Sequence, residues 1–76
     1  MKATIASTDQ IVTVNGVPAR VWVGTTERGV PFHALITRVA VDTALGEDAQ
    51  RQFAEELLAV DAPRPELPAW PTRMIL

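Results

Sequence analysis

Apolar and polar positions along this chain follow a period of about two up to residue 41 and of about 3.6 after it. Ile11-Val12-Thr13-Val14 is β-branched throughout and stops at Asn15-Gly16, the dipeptide that best supplies the positive φ angles of a tight hairpin turn. Ala19-Arg20-Val21-Trp22-Val23-Gly24-Thr25 alternates, with Ala19, Val21 and Val23 on one face and Arg20 and Trp22 on the other. Pro18 has no N–H to give to a ladder, which places it at a strand start or on an edge. Thr26-Glu27-Arg28-Gly29 forms a second turn, with Gly29 placed for the left-handed residue of a type I turn with a bulge. The run from Val30 to Val41 reads as one long strand, and residues 1–8 offer a further short one.

The length of the second turn sets which side chains meet. With two turn residues Trp22 stands opposite His33. With three and a bulge at Gly29, it stands opposite Ala34 and shares a face with Phe32 and Ile36. In either register Trp22 points away from Val21 and Val23.

Beyond residue 42, Ala49, Phe53, Leu57 and Val60 recur at helical spacing, with Ala54 and Leu58 widening the stripe. Glu47, Asp48, Arg51, Glu55 and Glu56 take the other side. Glu47 and Arg51 are spaced for an i,i+4 ion pair and Arg51 also reaches Glu55, each pair worth about 0.2–0.5 kcal/mol. Asp42 or Thr43 is placed to cap the start, with Gly46 interrupting the first turn. The helix must end before Pro63. Pro63, Pro65, Pro68 and Pro71 then impose an extended, polyproline-like segment. Trp70 and the apolar Met74-Ile75-Leu76 ending are expected to dock, on the chain's own sheet or on a neighbouring protomer.

These elements describe an α+β domain over residues 1–62, with a Pro-rich tail over 63–76. An antiparallel sheet of three to four strands carries one amphipathic helix on its valine face. The expected core is Val21, Val23, Leu35, Val39, Val41, Phe53, Leu57 and Val60, with Ile11 and Leu58.

Composition narrows the class. Seventy-six residues, 47% hydrophobic and 21% charged, make one small globular domain rather than a disordered chain. At this size roughly 60% of the unfolded surface is buried on folding, so the core is modest. There is no cysteine, no apolar run long enough to span a membrane and no signal-peptide pattern near Met1, and a cytoplasmic setting is expected. The net charge of −2 hides a gradient: residues 1–41 sum to +2 and residues 42–66 to −5. No Lys/Arg cluster suits direct nucleic-acid binding. The acidic segment points instead to a basic protein surface, or to a simple solvated helix face.

Catalytic parts are missing. One His and no Cys make no metal site, and no cofactor fingerprint is present. Ser7 and His33 form a formal Ser–His pair, but Ser7 lacks a nucleophile-elbow context. Glu55 and Glu56 diverge by about 100° on a helix and cannot act as a glycosidase-like pair. Interaction surfaces are better supplied. Trp22 and Arg20, with Phe32, Ile36 and Arg38 as companions, are residue types that dominate binding hot spots. That face either binds a partner, is covered by the tail with Trp70 or Ile75 over it, or is buried in a homodimer.

The blocks Val14-Asn15-Gly16, Val21 to Pro31 (VWVGTTERGVP) and Leu35 to Val41 (LITRVAV) resemble small accessory proteins of bacteriophages and prophages. In architecture they are similar to the short anti-CRISPR proteins that such elements encode. The resemblance covers residues 11–41, with a looser echo in the helix and the Arg73-Met74-Ile75-Leu76 ending. It implies a non-enzymatic protein that binds a host defence complex and blocks it. With Glu47, Asp48, Glu55 and Glu56 on one helix, acidic mimicry of nucleic acid in a positively charged channel is the corresponding mechanism. A homodimeric structural or regulatory module of phage origin is the alternative.

Overall fold

The two turns organise three strands, β1 (Ala3–Val14), β2 (Val17–Thr26) and β3 (Pro31–Ile36), into an antiparallel meander of order β1-β2-β3. The computed structural model describes residues 1–76, and helix α1 (Glu47–Leu58) follows the sheet in an α+β arrangement. Asn15 and Gly16 take positive φ angles of 50° and 79°, closing the tight first hairpin with Val14 opposite Val17. The second turn has three residues. Thr26 N–H donates to Val30 O at 3.0 Å and Gly29, at φ 83°, forms the bulge. Trp22 therefore pairs with Ala34 and shares its face with Phe32 and Ile36.

The expected long third strand stops at Ile36, and Pro18 explains why. Thr26 turns its N–H to β3, so the even-numbered residues of β2 do the same. Pro18 is one of them and has no N–H to give. The ladder ends one pair earlier, at Arg20 and Ile36, and residues 37–41 leave the sheet.

Residues 1–8 are not a separate strand but the start of β1, which is bulged. Ser7 pairs with Trp22 and Ile11 with Arg20, leaving Thr8, Asp9 and Gln10 opposite Val21 alone. The two extra residues preserve face parity, so Ile5, Ser7 and Ile11 all lie on the Trp22 face. At the bulge, the buried Thr8 hydroxyl donates to the Val21 carbonyl oxygen at 2.6 Å and accepts from Gln10 N–H at 3.2 Å. A side chain thus replaces the missing ladder bond.

The helix lies on the face opposite to the one expected. Phe53 and Leu57 line a cleft with Ile5, Ser7 and Trp22, and Arg20 Nη1 donates to the Leu57 carbonyl oxygen at 3.0 Å. The Trp22 face carries Ile5, Trp22, Phe32 and Ile36, while Val21 and Val23 lie on the other. The tail takes the valine face instead. Arg64 Nε donates to Asp9 Oδ1 at 3.0 Å beside the β1 bulge, and Trp70 meets His33 edge-on with centroids 5.4 Å apart. The chain therefore wraps round the β1 edge as a strap, with Pro65, Leu67 and Trp70 half-buried along it. Trp70 does not cover Trp22, and Met74, Ile75 and Leu76 do not dock within the chain.

Burial is correspondingly thin. Val21 and Ala19 are the buried apolar residues, with Ser7 and Thr8 as buried polar ones. Val23, Leu35, Val41, Phe53 and Leu57 are half-buried rather than fully buried. Val39 (41%), Val60 (40%), Ile11 (56%) and Leu58 (80%) are exposed and lie outside the core expected of them. Leu58 fails because it sits about 140° round the helix from Phe53. The radius of gyration is 13.9 Å, against about 11 Å for a close-packed chain of this length.

At the helix start, Asp42 caps a 3-10 turn at Thr43–Leu45, its carboxylate accepting from Ala44 N–H at 2.9 Å. Gly46, at φ 93°, separates that turn from α1. Arg51 pairs with Asp48 at 2.7 Å rather than with Glu47 or Glu55. No helix is long and apolar enough to cross a membrane.

Candidate functional site

Two clefts open between α1 and the sheet, and Trp22 stands between them. The larger, about 420 Å³, is lined by Ile11, Trp22, Ile36 and Leu57 with Arg20 and Arg38 at its basic side. The smaller, about 270 Å³, is lined by Ile5, Trp22, Phe53 and Leu57 with Glu56 and Asp61 at its acidic side. Trp22 from the sheet and Leu57 from the helix line both. Arg20 is held in place by the Leu57 carbonyl, while Arg38 is exposed and makes no ion pair.

Gly24 shapes the turn end of this face. A Cβ there would lie 2.7 Å from Ile5 Cγ2 and 2.7 Å from Phe32 Cζ, so the two side chains close over bare backbone. Phe32 and Ile5 thereby finish the floor beside Trp22.

The six residues singled out from sequence are sorted by this arrangement. Glu47, Asp48, Glu55 and Glu56 are all exposed on α1, but they do not form one patch. Glu47, Asp48 and Glu55 lie away from the Phe53–Leu57 stripe, with Asp48 bound to Arg51. Glu56 lines the smaller cleft together with Asp61 and Trp22. Arg20 and Trp22 are half-buried beneath the helix, as walls of the clefts rather than an open surface.

Ser7 and His33 are separated completely. Ser7 pairs with Trp22 on the helix side, whereas His33 pairs with Val23 on the strap side. No three His, Asp or Glu side chains gather in one place.

No family model, no curated protein and no solved structure matches this chain.

Neither the Asp9–Arg64 clamp nor the shared cleft of Glu56 and Asp61 was legible in the sequence. The clamp joins positions fifty-five residues apart, and a lone Arg between two prolines was its one signal. The hydrogen bond from Arg64 holds the Asp9 carboxyl below the usual carboxylate range, and the same bond raises Arg64.

Proposed function

We propose that this chain is a non-enzymatic binding protein of phage type that occupies a basic, nucleic-acid-binding surface of a host defence complex in the bacterial cytoplasm. The observation that carries the reading is the outward arc of α1. Glu47, Asp48 and Glu55 stand in solvent on one helix whose opposite stripe faces the sheet. Helical spacing places their carboxylates as fixed anions rather than as a floppy acidic tail. Charge of that kind steers encounter with a cationic channel and competes there with phosphates. The resemblance of residues 11–41 to phage accessory and anti-CRISPR proteins supplies the class of partner, an RNA-guided effector with a basic channel.

The test uses a purified effector–guide complex and labelled target DNA. The wild-type chain is expected to prevent DNA binding, with inhibition weakening as salt rises. Reversal of Glu47, Asp48, Glu55 and Glu56 to Lys should abolish inhibition while leaving the far-UV circular dichroism unchanged. Equal inhibition by the folded reversed variant would sink the acidic-helix mechanism.

A further inference from the structure

The two edges of the sheet are finished differently. The β1 edge is bulged at Thr8–Gln10, carries Asp9, and is crossed there by the strap through Arg64. These are the devices by which proteins protect an edge from further pairing. The β3 edge has no bulge, no charge and no strap across it, and its one protecting feature is Pro31 at its start. From Pro31 to Ile36 it is unbulged and without a charged Asp, Glu, Lys or Arg.

The direction of its backbone groups follows from the second turn. Val30 accepts from Thr26, so the even residues Phe32, Ala34 and Ile36 face β2. The N–H and C=O groups of His33 and Leu35 therefore point away from the sheet. No hydrogen bond from a turn, the strap or a side chain reaches them.

We propose that β3 is the seam of a two-fold homodimer in which the β3 strands of two copies pair antiparallel about Ala34. The product is a continuous six-stranded sheet, twice the three strands of one chain. His33 of one copy faces Leu35 of the other and exchanges both backbone bonds with it, and the two-fold repeats the pair. Thr37 N–H then meets the Pro31 carbonyl at each end, so the N–H that Pro31 lacks is missed only where the seam stops.

Three observations favour a second copy over a foreign strand. Antiparallel edge pairing about a two-fold is self-complementary, which an isologous interface requires. Neutral side chains along the seam let identical strands approach without like-charge repulsion. The protomer also leaves packing unfinished, with four residues buried and a large radius of gyration. Pairing at β3 sets Leu35 of one copy against the His33–Trp70 pair of the other, on the shared strap face. The seam is separate from the acidic arc of α1, so either proposal can fail without the other.

Sedimentation of the full chain from micromolar to millimolar concentration, with amide exchange followed by NMR, tests it. The expected result is a dimer of the 8.3 kDa chain in which His33 and Leu35 amides exchange at least about tenfold more slowly than in dilute monomer. Phe32 and Ala34, already bonded to β2, should change far less. A synthetic chain with N-methyl Leu35 keeps the side chain and loses only the outward N–H; its dimer should be at least about tenfold weaker. Thr37→Pro, outside the strand, should weaken it in the same direction. A chain that stays monomeric throughout overturns the proposal. So does a dimer whose His33 and Leu35 amides exchange at the monomer's rate, or one indifferent to N-methylation.

Discussion

Arg64 Nε lies 3.0 Å from Asp9 Oδ1, closing fifty-five residues of chain onto the bulge of β1. Both side chains are exposed, so the pair is salt-screened and contributes little to global stability. Its effect is local: it fixes where the strap crosses the sheet edge.

Acid should release that crossing. The Asp9 carboxyl titrates lower in the folded chain than in the unfolded one. Its contribution is thus complete above the unfolded value and lost as pH falls through the lowered one. In a Trp22→Phe variant, Trp70 emission should shift to the red as pH falls below about 4. Asp9→Asn should show part of that red shift at neutral pH, together with a smaller acid step.

Gly24→Ala tests the closed floor of the Trp22 face. The added methyl meets Ile5 and Phe32 at 2.7 Å, and overpacking of this kind costs about 1–3 kcal/mol. Urea denaturation should also show coupling to Phe32→Ala. The double variant should lose less than the sum of the singles, because the methyl enters space the ring has left.

Thr8→Val keeps the shape of the bulge and removes its hydroxyl. Val21 O is then left without its bulge partner inside the protein, at a cost of about 1–3 kcal/mol. Thr13→Val, at an exposed position of the same strand, should change stability by less than about 0.5 kcal/mol.

Much of this architecture was legible from local chemistry. Asn15-Gly16 and Gly29 declare their turns because few other residues tolerate positive φ. Strand alternation put Trp22 opposite in face to Val21 and Val23, and the helical stripe located α1. Local pattern was silent on which face each covering segment would choose, since both faces are apolar. The bulge at Thr8–Gln10 was equally hidden, as two inserted residues leave the parity of the strand unchanged. For the candidate site, the acids were found but not their division between the outer arc and the cleft. That division depends on where the sheet lies beneath Glu56.

Phe53→Ala measures how firmly the helix is seated. A fully buried Phe would cost about 3–5 kcal/mol, and half-burial brings the expectation to about 1.5–2.5 kcal/mol. Leu58→Ala, on the solvent side, should fall within about 0.5 kcal/mol. Equal losses at the two positions in thermal melts would mean that the helix turns a different stripe to the sheet.

The strap also fixes an order of events. Each hairpin of the meander closes over a few residues, on the microsecond scale. The strap must instead close the long loop between Asp9 and Arg64, around an edge that already exists. It is therefore expected to form after the hairpins and to open before them. Val21, the best-buried apolar side chain of the molecule, lies on the face the strap crosses, so release of the strap is expected to raise its exposure.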